Sequence, residues 1–215
     1  MSGQDLLTIS PLIAAILVAV AVLIVDLIAP GRREPALATA LLGLGIVAIL
    51  TAVAGRTPGQ AFGGSYTVDA LTTFLDLLFI SIVALTIAFA PDYLEPRDLP
   101  IAEFAAVLVF ALTGAMLIAA STDLLVLFLA LELMVLPGYL LAAYAKHDSL
   151  STEGAIKYFL LGSFSSAIFL FGLAYVWGLT GSTRVADVAA DRLEMHRILP
   201  AVLFCVPRSC AVIPR

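Results

Sequence analysis

Long runs of apolar residues, separated by short polar stretches, divide the chain. With a window of about 19 residues, six of these runs are long enough to cross a hydrocarbon core, which requires about 20 residues of helix. The runs are apolar on every face, whereas barrel strands would alternate, so the pattern predicts helices. We expect the spans near residues 9–29, 36–54, 68–90, 101–120, 122–144 and 154–179, with an incomplete seventh over 198–206.

The connections between these runs are short and carry the Pro, Gly and charged residues that are typical of loops. The predicted loops cover residues 30–35, 55–65 and 91–100. The longest polar stretch, 181–197, has room only for a small interfacial segment. The pattern therefore predicts a single membrane domain over 1–215, with the fold class of an all-α, polytopic transmembrane helix bundle.

The composition agrees with lipid as the solvent. Hydrophobic residues make up 62% of the chain and charged residues 13%, whereas a soluble domain is about 25% charged. A net charge of -5 without a basic run argues against nucleic acid as a partner. Cys205 and Cys210 match neither a zinc pattern nor a disulfide framework. We expect the lipid bilayer and other apolar chains as partners.

Basic residues near the spans predict the orientation. Arg32 and Arg33 lie in the first loop, which places that loop inside and the N-terminus outside by the positive-inside rule. The remaining basic residues do not favour either side, so the first loop decides. The first span lacks a basic leading region and carries Asp5, so we do not expect it to be a cleaved signal peptide.

Glu132 is the sharpest candidate for function, because it lies within an apolar span about midway between the ends. A charge at the bilayer centre costs at least about 2.5–3.5 kcal/mol, so a carboxyl group retained there indicates a functional site. It must be protonated, paired or exposed to a hydrated interior. The alternative is a neutral Glu132 that only joins helices by hydrogen bonds. Pro137 predicts a kink that frees the Leu133 carbonyl, although it could equally serve packing.

Two further ionisable residues fall inside predicted spans. Lys157 lies near the start of the sixth span, where a cation opposes the helix dipole. Its alternative is structural, because Glu153 stands four residues earlier and can form an ion pair with it. Asp76 forms a polar stripe with Asp69 and two threonines on the third span, which we expect to face protein, more in packing than in conduction.

Three motifs in this region resemble a known family. Residues 129–144 read LALELMVLPGYLLAAY, residues 153–166 read EGAIKYFLLGSFSS, and residues 178–182 read GLTGS. Together they resemble subunit N of bacterial NADH-quinone oxidoreductase, respiratory complex I, which is one of its antiporter-like membrane subunits. The resemblance is dense over residues 120–185 and agrees in hydropathy over the part of the chain before them.

The resemblance implies a proton-translocating subunit of a translocase in the bacterial inner membrane, assembled with other membrane subunits of complex I. It implies no redox centre and no cofactor bound by this chain, with NADH and quinone used by the complex. Glu132 matches the family's fifth-helix glutamate and Lys157 the lysine of its sixth-helix motif, which implies proton translocation through Glu132 coupled to a neighbouring cation.

The chain departs from the family after the sixth span. Family members have about fourteen spans, including two inverted repeats, and the segment after residue 206 does not resemble them. We therefore expect the chain to be a truncated part of a longer protein. Two alternatives remain open: a subunit of a multisubunit sodium/proton antiporter or membrane-bound hydrogenase, and a truncated fragment that does not conduct.

Overall fold

The structure is a computed structural model that describes residues 3–29 and 33–190. The predicted seventh run over 198–206, both cysteines and Arg32 lie outside the described residues. Within them, six helices are long and apolar enough to span a membrane, which confirms the predicted all-α, polytopic fold. The helices are α1 Gly3–Ile28, α2 Arg33–Ala54, α3 Ala70–Leu94, α4 Ile101–Ala120, α5 Leu124–Ala142 and α6 Ser149–Thr180.

The second loop contains a strand pair that the sequence pattern did not predict. Strands β1 (Gly59–Ala61) and β2 (Tyr66–Val68) pair antiparallel around a short 3-10 turn. Three residues per strand are too few for an alternating pattern to be visible in the sequence. The hairpin is fixed from outside, because the Thr122 amide donates to the Ser65 carbonyl at 3.1 Å and the Thr122 hydroxyl donates to the Gly64 carbonyl.

Helices α1 to α4 form the buried core of the bundle. Its largest fully buried side chains are Leu44, Ile87, Leu112 and Met116. On α1, Ala15 and Ala19 are fully buried, and small residues of this kind let helix backbones approach closely in a membrane. Helix α5 packs against α4, and α6 packs against α5. The first four helices therefore form a platform, against which α5 packs through α4, and α6 packs in turn against α5.

Hydrogen bonds fix α6 against α5 at both ends. At one end, the Ser151 hydroxyl donates to the Ala142 carbonyl at 2.7 Å. At the other, the Leu124 amide donates to the Thr183 carbonyl at 2.8 Å, and the Thr183 hydroxyl donates to the Asp123 carboxylate at 2.7 Å. We call this second end, with the hairpin, the hairpin end, and the opposite membrane surface the Arg97 end.

Helix α6 is longer than predicted, with 32 residues from Ser149 to Thr180. It begins five residues before the expected start because Asp148 accepts a hydrogen bond from the Leu150 amide at 3.0 Å and so caps the first turn. Its last turn ends at Gly181, whose φ of 69° is the left-handed conformation that glycine adopts at helix ends. These caps set the two ends of α6.

Candidate functional site: a groove between α5 and α6

A cavity of about 290 Å³ lies between α5 and α6. We call it the α5–α6 groove. It contains the Glu132 carboxyl and four side-chain hydroxyls in an otherwise apolar wall. Its lining residues are Phe128, Leu131, Glu132, Val135 and Tyr139 from α5, with Tyr158, Gly162, Ser165, Ser166 and Phe169 from α6.

The structure places Glu132 near the middle of its helix. It lies eight residues after Leu124 and ten before Ala142, which is about 12 Å and about 15 Å along the helix axis. The side chain is half-buried and turned toward the groove. A side chain as short as that of glutamate cannot reach the headgroups from this depth, so the groove is its polar environment.

Aromatic contacts bound the groove on both sides of Glu132. Toward the hairpin end, Phe128 and Phe169 stack with ring centres 5.8 Å apart. Toward the Arg97 end, Tyr139 and Tyr158 meet edge to face at 4.9 Å. The level of Glu132 lies between these two contacts, as do Ser165 and Ser166. The Phe128–Phe169 stack therefore bounds the groove toward the hairpin end, and the two tyrosine hydroxyls line it toward the Arg97 end.

Tyr139 has the most confined side chain in the groove, with 8% of its surface exposed. Its hydroxyl has no hydrogen-bond partner among the described residues. A β-carbon placed at Gly162 would lie 1.9 Å from that hydroxyl oxygen, so only glycine at this position admits the phenol. A buried hydroxyl without a hydrogen-bond partner costs about 1–3 kcal/mol of folding free energy. Tyr139 therefore keeps its hydroxyl at a cost in stability.

Lys157 lies outside the groove. Its side chain is 68% exposed and forms an ion pair with Glu153 on the same helix. This ion pair is the structural alternative that the four-residue spacing from Glu153 predicts for this lysine. Lys157 is about 100° around the helix from Tyr158, the groove residue that follows it. With Ser151 level with Ala142, Lys157 lies about 6 Å nearer the Arg97 end than Glu132 along the axis.

Pro137 is buried, and α5 runs through it as far as Ala142. On the side of α5 away from the groove, the turn that carries Glu132 contacts α4. A β-carbon at Gly114 would lie 2.5 Å from the Met134 amide nitrogen and 2.9 Å from the Leu133 carbonyl carbon. The two backbones therefore approach as closely as glycine permits, and this contact sets the depth and rotation of the Glu132 turn.

Asp76 belongs to a separate site on α3. It is 4% exposed, and its Oδ1 atom has no hydrogen-bond partner among the described residues. Thr72, one turn earlier, is also buried, whereas Thr73 is half-buried. Asp76 and Thr72 therefore face protein, as predicted for the polar stripe. Asp76 is not among the residues of the α5–α6 groove.

Two ionisable groups outside the spans have shifted pKa values. The amide and then the hydroxyl of Thr72 donate to Asp69 at 2.7 and 2.9 Å, and they hold the pKa of Asp69 below its usual value. Burial, helped by the nearby Glu103 carboxyl, raises the pKa of Tyr144 to about 12. At neutral pH, Asp69 is therefore ionised and Tyr144 protonated, and neither group exchanges protons readily.

A larger cavity of about 700 Å³ lies at the Arg97 end. Its charged lining groups, Arg97 and Asp148, follow α3 and precede α6 at the membrane surface, where charge costs little. The Arg97 guanidinium lies 3.8 Å from the ring centre of Tyr93 and donates to the Tyr93 carbonyl at 2.8 Å. These contacts are typical of an interfacial anchor, so the smaller groove is the better candidate for ion transfer.

Tyr139 and Tyr158 were not among the site residues predicted from the sequence. A signal for Tyr139 existed, because it follows Glu132 by seven residues, two helical turns, and so lies on the same face of α5. Tyr158 had no such signal, since its place in the groove against Tyr139 depends on the rotation of α6. Within the described residues, no group of three or more His, Cys, Asp or Glu side chains is arranged to hold a metal ion.

The fold and groove define a multi-pass membrane protein with an ionisable group between two of its helices. Residues 121–206, which include α5 and α6, match the family described as NADH:quinone oxidoreductase/Mrp antiporter, transmembrane. The chain belongs to this family, and its curated relatives are named as subunit N of NADH-quinone oxidoreductases.

Two of these relatives show the extent of the similarity. NADH-quinone oxidoreductase subunit N 2 of Koribacter versatilis is 32% identical over 211 residues, which cover 94% of this chain and 43% of the relative. Subunit N of Chloroflexus aggregans is 33% identical over 188 residues, which cover 86% and 38%. This chain therefore spans about two fifths of the length of these relatives.

Solved structures share the fold. A chain of respiratory complex I from Thermus thermophilus with bound aureothin is 28% identical, with a TM-score of 0.67 over 81% of this chain and 38% of that one. A chain of the membrane-bound sulfane sulfur reductase, an archaeal respiratory membrane complex, has a TM-score of 0.68 at 23% identity, which shows the fold alone.

Proposed function

We propose that this chain is a proton-translocating membrane subunit of an NADH-quinone oxidoreductase. Glu132 carries the proton, and NADH oxidation and quinone reduction take place in other subunits, so this chain binds neither NADH nor quinone. The observation that carries the proposal is a carboxyl group at mid-membrane in a groove lined by hydroxyls. The subunit N relatives support the assignment to this kind of complex.

The chemistry of Glu132 suits this role. A carboxyl group takes up or releases one proton, and the balance between the two states follows the charge and polarity around it. At mid-membrane the ionised form is expensive, so movement of a nearby cation is sufficient to drive a proton on or off. The groove supplies the hydroxyls through which such a proton can pass.

Lys157 is the proposed cation of the pair. It is bound to Glu153 on the surface of α6, at a different depth from Glu132 and outside the groove. We infer that the Glu153–Lys157 ion pair is one state of a switch, in which Lys157 is held away from Glu132. Asp76 and Pro137 have supporting places: a buried carboxyl group in the platform and a residue that frees a backbone acceptor beside Glu132.

The proposed setting is the bacterial plasma membrane, with the N-terminus outside and other membrane subunits of the complex as partners. Most residues of α6 have at least one exposed face, and large apolar side chains such as Leu161, Phe164 and Phe171 are about 70% exposed. This surface is available to lipid or to further helices of the same assembly, as expected for a subunit that does not work alone.

The test is Glu132→Gln in the assembled complex, in membrane vesicles that receive NADH and quinone. The substitution keeps the shape and removes the exchangeable proton. We expect proton pumping to fall at least tenfold, equivalent to about 1.4 kcal/mol in the barrier, with the amount of assembled complex unchanged. Pumping is measured with a fluorescent pH indicator, and NADH oxidation is recorded in parallel.

Glu103→Gln is the matched control, because Glu103 is an exposed acid in the first turn of α4, away from the groove. It is expected to pump like the unmodified complex. Normal pumping by Glu132→Gln, at normal abundance, would reject the proposal.

A second function is favoured by the family description, which includes the Mrp antiporters. In that case the chain would serve a multisubunit sodium/proton antiporter, or a membrane-bound hydrogenase. Sodium distinguishes the first of these: pumping coupled to NADH oxidation should persist in sodium-free buffer, whereas an antiporter requires a sodium gradient to move protons.

A further inference from the structure

The Tyr139 hydroxyl lies in the same groove as Glu132. It is two turns after Glu132 on α5, and side chains on a helix lean toward its N-terminus. The phenol therefore extends back toward Glu132. Its hydroxyl is buried and without a hydrogen-bond partner among the described residues.

Packing holds the Tyr139 ring in place without help from the hydroxyl. Tyr158 contacts the ring edge to face at 4.9 Å, and Phe159 does so at 5.4 Å and an interplanar angle of 88°. A phenylalanine would make both contacts equally well. The structure nevertheless leaves space for the hydroxyl. This space exists because α6 carries Gly162 beside it, where a β-carbon would displace the hydroxyl.

Tyr139 also lies on a defined side of Glu132 along the groove. The Phe128–Phe169 stack bounds the groove on the hairpin side, and the Ser165 and Ser166 hydroxyls lie between that stack and the two tyrosines. On the Arg97 side, the next polar groups along the groove are the hydroxyls of Tyr139 and Tyr158. A proton that moves from the Arg97 end to Glu132 therefore passes these hydroxyls, of which that of Tyr139 leans toward Glu132.

We propose that Tyr139 is the proton-relay residue that connects Glu132 to the Arg97 end of the membrane. This rests on the proposed function, and it adds both a residue and a side of the membrane. In each transfer the Tyr139 hydroxyl donates its proton to a water molecule bound to Glu132, and that water passes one of its own protons to the Glu132 carboxylate. The Tyr139 oxygen accepts a proton from a hydronium ion on the Arg97 side, which is left as water. One O–H bond breaks as another forms, so the tyrosine stays neutral.

The test is Tyr139→Phe in the assembled complex, with pumping normalised to the amount of complex. This substitution retains the ring contacts and removes only the relay oxygen. We expect a several-fold loss of pumping and a changed pH profile, in which pumping recovers as pH falls. The recovery is expected because, without the relay, Glu132 depends on the hydronium concentration at the Arg97 end. A purely structural role for Tyr139 would leave the pH profile unchanged.

Tyr175→Phe is the matched control, because it removes the same atom from a tyrosine of α6 that does not line the groove. Tyr175 is 65% exposed, and near-normal pumping is expected. Gly162→Ala is the second test variant, since its new methyl group displaces the Tyr139 hydroxyl while the tyrosine remains. Gly172→Ala controls for it on the same helix, where nothing lies within 4 Å of the added carbon.

The outcomes separate this inference from the proposed function. Loss of pumping in both Tyr139→Phe and Gly162→Ala, with normal pumping in their controls, supports the relay. If Glu132→Gln stops pumping but both test variants pump with the normal pH profile, the relay is wrong and the proposed function stands. If Glu132→Gln pumps normally, the proposed function itself is wrong.

Discussion

At the scale of single residues, the central feature is the Glu132 carboxyl group, whose ionised form is unfavourable in apolar surroundings. An ionised side chain at the bilayer centre costs several kcal/mol, so Glu132 is retained in a place where polar groups face it. The groove supplies these as hydroxyls, of which Tyr139 is the most confined. Glu132 itself is half-buried, which leaves room for proton exchange.

The depth of Glu132 could be predicted from the sequence, because hydropathy defines the ends of its span. The place of Lys157 could not be decided in this way. Its spacing from Glu153 predicted an ion pair, and its place in an apolar run predicted a functional cation. The structure shows the ion pair on the surface of α6. Which face of α6 meets α5 depends on side-chain packing between the helices, and a helical pattern that is apolar on all sides does not encode it.

Lys157→Ala tests the role of this cation. We expect it to lower proton pumping and to leave the stability of the complex nearly unchanged, because an exposed ion pair contributes less than about 1 kcal/mol. Lys157→Arg, which keeps the charge, should retain most of the pumping. Pumping and thermal unfolding are measured on the same membranes.

Lys146→Ala provides the control, since this exposed lysine lies in the loop between α5 and α6. It removes one positive charge near the Arg97 end without touching either helix. If Lys157→Ala and Lys146→Ala pump equally well, Lys157 is only a structural partner of Glu153.

At the scale of helices, α5 is held between two different neighbours. On one side α4 approaches within backbone contact at Gly114. On the other side, hydrogen bonds by Ser151 and Thr183 fix α6 at its two ends, and ring contacts between the helices bound the groove between them. The turn that carries Glu132 is therefore packed tightly against the α4 backbone and faces a cavity on the α6 side. This arrangement suits a residue that exchanges protons through that cavity.

Gly114→Ala tests the α4 contact. The added carbon would lie 2.5 to 2.9 Å from backbone atoms of α5, which cannot rotate away as a side chain can. We expect a destabilisation of about 1–3 kcal/mol, as for other overpacked cores, seen as a lower midpoint of thermal unfolding and less assembled complex.

Gly45→Ala is the comparison, because nothing lies within 4 Å of a carbon added at that position in α2. It should unfold at or above the temperature of the unmodified protein. A Gly114→Ala protein as stable as Gly45→Ala would show that α4 and α5 are not in backbone contact.

At the scale of the whole molecule, hydropathy predicted six spans and the structure has six spanning helices in its described part. Agreement was good because lipid requires each crossing segment to satisfy its own backbone hydrogen bonds. The β1–β2 hairpin could not be predicted, since tertiary contacts from Thr122 and Arg184 fix it. The groove likewise arises from two helices together, so neither segment alone reveals it.

The chain spans about two fifths of the length of its curated relatives, and α6 presents a largely exposed surface. The exposed surface of α6 supports the proposal that the activity belongs to an assembly. The proposal that it is a proton-translocating subunit therefore requires physical association with an NADH-oxidising complex.

The most direct measurement is native-gel electrophoresis of solubilised membranes from the source cells, with an antibody against this chain and an activity stain for NADH oxidation. We predict that the chain migrates with the large NADH-oxidising band. Migration as a free polypeptide, with the NADH-oxidising band lacking it, would contradict the account.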